Sequence, residues 1–144
     1  MAERINIDIE SRISDKSGDT DVIAESIQGF LEQKGELFKI CYVKENCDCR
    51  YDGEIIFKRS EPFRIRVRRR GDISSDMLFE EGREHISDYC TGGLSFPISV
   101  RTERIVYTET DRSQIEISYI MSASDEESRV DFKIAFSEVS NAPE

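Results

Sequence analysis

Apolar and polar residues alternate along most of this chain. Residues 5–9 read INIDI and residues 63–67 read FRIRV, so every second side chain in each run is apolar. Four further runs have the same period, at residues 38–42, 96–100, 115–121 and 130–136. Because successive side chains of a β-strand point to opposite faces, this period predicts strands with one buried face and one solvated face.

Short polar segments separate these runs, and several contain glycine, aspartate or serine. These residue types adopt the backbone angles that tight turns require. We predict turns at residues 15–19, 33–35, 51–53, 70–72, 111–113 and 122–127. Two segments, 23–32 and 77–86, have partial helical spacing, but Gly29 and the preceding turn favour a strand in the first. Short connections between successive strands indicate an antiparallel meander.

A meander with one apolar face has two stable outcomes, a pair of packed sheets or a closed barrel. Closure removes the exposed strand edges that otherwise promote aggregation. A length of 144 residues is that of one domain. We assign residues 1–139 to this domain and expect residues 140–144, SNAPE, to form a disordered tail.

The charge balance narrows the choice of partners. The chain has 20 basic and 30 acidic side chains, a net charge of −10, which disfavours nucleic acid or an anionic membrane. No apolar run reaches the roughly 20 residues that span a bilayer. The N-terminal sequence MAERINIDIE lacks the apolar segment of a signal peptide. We therefore expect a cytoplasmic location, where the four cysteines remain reduced.

Several short motifs together resemble one family. They are Arg69-Arg70-Gly71, Met77 with Phe79 and Gly82, Tyr89-Cys90-Thr91, and Phe96 to Thr102, supported by Gly29-Phe30, Tyr42 and Ile117-Ser118-Tyr119. In order and spacing they resemble the bacterial YwiB-like family, a domain of unknown function. The resemblance implies a barrel similar to that of the lipocalins or calycins. We therefore predict an all-β fold, a single antiparallel meander β-barrel of about 8–10 strands.

Positive charge is concentrated in one run, PFRIRVRRRG. By strand parity, Arg64, Arg66 and Arg68 in this run point away from the apolar face. The next run offers the outward acids Asp76 and Glu80 for cross-strand ion pairs, which is the ordinary use of such a face. The alternative is an interaction module, in which these arginines dock a protein or an RNA.

Arg69 has the opposite parity and faces the interior. A buried guanidinium needs a carboxylate, backbone carbonyls or the acid group of a ligand. Pairing within the protein is one interpretation, and the apolar residues around Arg69 are equally consistent with a packed core. The binding hypothesis instead places a small, partly apolar ligand, with or without an acid group, inside the barrel. Its candidate residues are Arg69, Tyr42, Met77, Phe79, Tyr89 and Tyr119, to which parity adds Phe38, Ile40, Phe96 and Phe136.

Residues suited to catalysis or metal binding form no recognised motif. Cys47 and Cys49 are separated by one residue, closer than the usual zinc pair, so thiol or metal chemistry there is the weakest hypothesis. His85 is the single histidine, which limits acid–base and haem chemistry. We expect no enzyme activity, no cofactor and no metal. A small-molecule ligand, a protein partner or a homodimer fits the sequence, and a membrane partner does not.

Overall fold

The structure of the protein, a computed structural model, describes residues 2–45 and 49–139. Ten β-strands follow one another: β1 Ala2–Ser14, β2 Thr20–Lys34, β3 Leu37–Glu45, β4 Arg50–Lys58, β5 Glu61–Gly71, β6 Ile73–Glu80, β7 Glu84–Thr91, β8 Leu94–Glu109, β9 Ser113–Ala123 and β10 Glu126–Glu138. Across these described ranges no residue belongs to a helix, and hence no apolar helix of membrane-spanning length is found.

The strands form a single closed barrel. Each strand pairs with its sequence neighbours in antiparallel orientation, and β1 also pairs with β10. The closing ladder runs from the pair Ile5–Glu138 to the pair Ser14–Arg129. The predicted all-β class and antiparallel meander barrel are confirmed, and the architecture is consistent with a lipocalin-like barrel. The tail that we assigned to residues 140–144 lies outside the described residues.

The two segments with partial helical spacing are not helical. Residues 23–32 lie within β2, as predicted. Residues 77–86 are divided between β6, a turn and β7. In each case pairing with neighbouring strands outweighs the weak helical pattern, because local propensity is easily overridden by tertiary contacts.

One predicted turn is wrong, since residues 51–53 belong to β4. Gly53 in this segment pairs with Tyr42 on β3 and with Arg69 on β5. Pairing on both sides keeps the Asp-Gly sequence extended against its local turn preference. At the upper limit of the ladder between β3 and β4, Glu45 pairs with Arg50.

The apolar half of the two-residue period forms the core. Almost fully buried members are Ile5, Ile7, Ile40, Ile55, Phe57, Ile65, Ile115, Ile117 and Ile134. Phe63 is an exception, because it was expected to face inward and is 49% exposed. It lies near the start of β5, beside the register shift that follows Phe57 on β4, where regular alternation is interrupted. Ile65 and Val67 are buried, as predicted.

The barrel has two distinct ends. The last residues of β1, β3, β5, β7 and β9 lie at one end, which we call the upper end. Strands β6 and β7 pair only there, from Ile73–Thr91 to Ser75–Tyr89. This short ladder fixes Ser75 beside Tyr89 near the upper end of the barrel.

Candidate anion site at the upper end of the barrel

Arg69 extends from β5 into the barrel. Its neighbours across the two ladders are Gly53 on β4 and Ser75 on β6. The Nε atom of Arg69 is buried and has no hydrogen-bond partner among the described residues. Within the same part of the chain no carboxylate forms an ion pair with Arg69, whereas Arg66 on the outer face of β5 pairs with Asp76.

Tyrosines surround the Arg69 guanidinium. Four of the five tyrosines in the chain lie close enough to interact electrostatically with this guanidinium: Tyr42, Tyr51, Tyr89 and Tyr119. They extend from β3, β4, β7 and β9, so four strands contribute to one site. The central guanidinium carbon lies 5.6 Å from the centroid of the Tyr51 ring, within the range of a cation–π contact.

Two glycines allow Tyr42 to approach Arg69. Tyr42 pairs with Gly29 on one side and with Gly53 on the other. A Cβ atom added to Gly53 would lie 2.2 Å from Cζ of the Tyr42 ring, so the ring occupies the space of the missing side chain. The Tyr42 ring therefore lies over Gly53 toward Arg69, which is the next residue across the sheet.

The phenol groups of Tyr42, Tyr51 and Tyr119 are neutral at physiological pH. Burial raises the pKa of Tyr119 to about 12, although the positive charge of Arg69 opposes the rise. Burial likewise raises the pKa of Tyr42 and of Tyr51 against the same opposing charge. The phenols can donate or accept hydrogen bonds, but as neutral groups they do not balance the charge of the guanidinium.

Exposure of the inward-facing residues changes along the barrel axis. Tyr51, Arg69, Tyr89 and Phe96 at the upper end are half-buried, whereas Val67, one inward position below Arg69, is buried. The rings of Tyr89 and Phe96 have centroids 5.5 Å apart. These four half-buried residues lie at the same end of the barrel, and we call this group the cup.

Met77 and Phe79 lie below the cup and are buried. They are 6% and 3% exposed, and the Phe79 and Tyr119 ring centroids are 4.7 Å apart. The ligand position that we expected inside the barrel, alongside Met77 and Phe79, stays a prediction. Grooves of about 580 and 520 Å³ lie on the outer wall and at the lower end, and Arg69 lines neither.

Comparison with known proteins identifies the family. The family model described as "Domain of unknown function (DUF1934)" matches residues 7–134. This chain belongs to that family. The DUF1934 chain is also similar to a solved structure, the ywiB protein from Bacillus subtilis, with 18% sequence identity and a TM-score of 0.84. The match covers 96% of this chain and 94% of the other.

At this level of identity, the similarity to the ywiB protein shows a shared fold. No curated protein matches the DUF1934 chain. The YwiB-like resemblance drawn from the motifs is confirmed, and the family description assigns no activity. The case for any function of this DUF1934 domain depends on its own residues.

Three residues of the cup region were not among our sequence-derived candidates. Tyr51 and Gly53 fell within the wrongly predicted turn, although both continue the inward period of β4 toward Ile55. Ser75 precedes the inward Met77 by two residues and is 7% exposed. A polar residue at an inward strand position is the signal that identifies Ser75, because such residues usually need a partner.

The outer arginines of β5 form ion pairs with both neighbouring strands. Nε of Arg66 donates to Oδ1 of Asp76 at 2.8 Å, and a second bond from the same guanidinium makes the contact bidentate. Arg64 lies 3.6 Å from Glu80, and Arg68 lies 3.7 Å from Glu54. This is the cross-strand arrangement that parity predicted for the outward face.

In the described ranges, no group of three or more histidine, cysteine, aspartate or glutamate side chains is arranged to hold a metal ion. Cys41 and Cys90 are thiols. Cys49 is half-buried near Tyr51, whereas Cys47 lies outside the described residues. Thiol or metal chemistry at these two cysteines therefore stays a prediction. Nε2 of His85 is 3.1 Å from Oε1 of Glu80.

Proposed function

We propose that this DUF1934 domain binds a small molecule with an acid group in the cup, and that it is a binding protein without catalytic activity. The acid group contacts the guanidinium of Arg69, and an apolar part of the ligand lies against Tyr51, Tyr89 and Phe96. The observation that supports the proposal is an inward guanidinium whose buried Nε atom has no hydrogen-bond partner, with no carboxylate partner in the described residues.

The energetic reason is the cost of a buried charge. Removing an unpaired charged group from water is strongly unfavourable, so such groups are normally paired with an opposite charge. Arg64, Arg66 and Arg68 each have an acidic partner, although all three are on the solvated side of β5. Arg69 faces inward with a buried Nε atom and lacks such a partner in the described part of the chain. An anionic ligand would supply the missing charge.

The titration behaviour of the site favours binding over catalysis. General acid–base catalysis works best when the pKa of the group is near the operating pH. Burial holds the pKa of Tyr119 at about 12, and Arg69 remains protonated throughout the physiological range. These groups are suited to holding an anion in place.

The alternative is the interaction module that uses Arg64, Arg66 and Arg68. All three guanidinium groups already contact acids of this chain, which reduces their availability to a protein or RNA partner. The net charge of −10 adds a general repulsion against RNA. The inward arginine is therefore the better-supported site.

Replacement of Arg69 by methionine tests the proposal. Native mass spectrometry of the purified full-length chain is expected to reveal a bound small molecule in the wild type that is absent from Arg69→Met. Binding of benzoate and phenyl phosphate, measured by calorimetry, serves as the direct probe. Arg66→Met is the matched control, because it removes an arginine from the same strand but from its outer face; it should leave binding unchanged.

Stability measurements on the same variants separate a binding arginine from a structural one. If Arg69 is balanced only by a ligand, Arg69→Met without ligand should be at least as stable as the wild type to urea. Loss of about 3–5 kcal/mol of unfolding free energy would instead indicate a buried ion pair within the protein. Loss of stability with unchanged binding would overturn the proposal.

A further inference from the structure

We infer that the anion is a monocarboxylate carrying a flat apolar group, with its carboxylate held between Arg69 and Ser75. The inference rests on the proposed function and names its ligand class. It is carried by the charge of the cup, by two unpartnered donors on adjacent strands, and by three half-buried aromatic rings.

The charge of the cup fits a single negative charge. The titratable groups facing Arg69 from other strands are the tyrosines at positions 42, 51, 89 and 119, and Cys49 lies beside Tyr51. Among the residues that the structure describes, the site thus presents one guanidinium beside hydroxyl groups and a thiol, without a second basic side chain. A carboxylate balances this charge, whereas a phosphate monoester, which carries up to two charges near neutral pH, leaves an excess negative charge in a poorly solvated site.

Two hydrogen-bond donors point to the position of the carboxylate. Nε of Arg69 and Oγ of Ser75 are both buried and both lack a hydrogen-bond partner among the described residues. The two residues are directly opposite each other on β5 and β6, which places their Cβ atoms roughly 4.5–5.5 Å apart. A carboxylate can accept from a guanidinium edge and from a neighbouring hydroxyl at the same time.

The walls of the cup favour a flat apolar group next to the carboxylate. The Tyr89 and Phe96 rings are 5.5 Å apart and inclined by 40°, and Tyr51 lies beneath the guanidinium. All three rings are half-buried and so have surface that a ligand can cover. Aromatic side chains bind flat apolar groups through large contact areas and preferred ring geometries.

The test is calorimetry on the full-length chain with four probes: benzoate, phenyl phosphate, benzyl alcohol and acetate. We expect benzoate to bind most tightly, with phenyl phosphate and acetate each weaker by about tenfold or more and benzyl alcohol without measurable binding. Ser75→Ala should weaken benzoate by about tenfold, as expected for loss of one hydrogen bond to a charged group.

Ser87→Ala is the matched control for Ser75→Ala. Oγ of Ser87 is also buried without a hydrogen-bond partner in the described residues, but Ser87 pairs with Ile98 rather than with Arg69. Its replacement should leave the affinity for benzoate unchanged. Equal losses in the two serine variants would overturn the placement of the carboxylate beside Ser75.

The probes separate this inference from the proposed function. Binding of phenyl phosphate as tight as that of benzoate, and lost in Arg69→Met, would overturn the monocarboxylate class while leaving an anion site at Arg69. Acetate binding as tight as benzoate would overturn the flat apolar group alone. Absence of binding by every anion, with no co-purifying ligand, would overturn both proposals.

Discussion

At the scale of single residues, the site depends on glycine at position 53, which has no side chain to fill the space beside Tyr42. Gly53 sits between Tyr42 and Arg69 in the paired row across β3, β4 and β5. The three heavy atoms nearest to its hypothetical Cβ are all ring atoms of Tyr42, at 2.2 to 2.6 Å. Glycine is required at position 53 because the Tyr42 ring approaches its backbone closely, not because of an unusual backbone angle. The space left by the absent Cβ atom allows this orientation of the Tyr42 ring.

Gly53→Ala is therefore expected to reduce the free energy of unfolding by about 1–3 kcal/mol, because the added methyl group overpacks the site. Tyr42→Leu removes the three ring atoms that the methyl group would meet. In a double-mutant cycle by urea denaturation, Gly53→Ala should cost less in the Tyr42→Leu background than in the wild type. Strict additivity of the two substitutions would contradict the contact as the cause.

At the scale of elements, the alternation of side chains along strand β5 gives its arginines two different environments. Arg66 and Arg68 face outward, where β6 supplies Asp76 and β4 supplies Glu54. Arg69 is adjacent in sequence but faces inward, where the opposing positions are Gly53 and Ser75. A shift of one residue in the register would exchange these environments, so pairing with β4 and β6 determines which arginine is available to a ligand.

Replacing Arg64, Arg66 and Arg68 together by serine tests the outer face. We expect a loss of about 1–2 kcal/mol in the free energy of unfolding, since exposed ion pairs each contribute up to about 1 kcal/mol. The difference from the wild type should shrink at high salt, which screens exposed charges. Urea denaturation at low and high salt measures both effects. Unchanged stability together with loss of a bound protein or RNA would favour the interaction module.

At the scale of the whole molecule, closure gives the barrel one shared apolar core, with half-buried inward residues at its upper end. The β1–β10 ladder joins strands from opposite ends of the sequence, so the inward residues of all ten strands share one interior. Tyr119 reaches this interior from β9 and lies against Phe79 from β6, although the two strands are not neighbours. Burial of the Tyr119 phenol therefore requires the intact barrel.

Alkaline pH should destabilise the barrel through Tyr119. Its pKa is about 12 in the folded protein, because of burial, against the ordinary value of 10. The stabilising contribution is fully present below pH 10. It is lost as pH rises from 10 to 12, because the unfolded chain releases the proton first. The loss is on the order of 2–3 kcal/mol, measured as unfolding free energy across this range. Tyr119→Phe should show a shallower decline, and an unchanged slope would contradict this assignment.

The sequence determined the features that depend on strand period. Alternation identified six of the ten strands, and together with the family resemblance it predicted the barrel. It also separated the outward Arg64, Arg66 and Arg68 from the inward Arg69. These predictions were reliable because the direction of a side chain in a strand is set by its immediate neighbours. Where neighbours mislead, as with the Asp-Gly sequence before Glu54 or with Phe63 beside the register shift, the predictions were wrong.

Only the tertiary structure decided what Arg69 meets. Tyr42, Tyr51, Tyr89 and Tyr119 are spread over four strands, and nothing in their spacing brings them to one point. Their convergence depends on register between strands and on closure of the barrel, which are set by pairing between distant segments. A two-residue period fixes which way a side chain faces, whereas the distance across a barrel depends on all ten strands together.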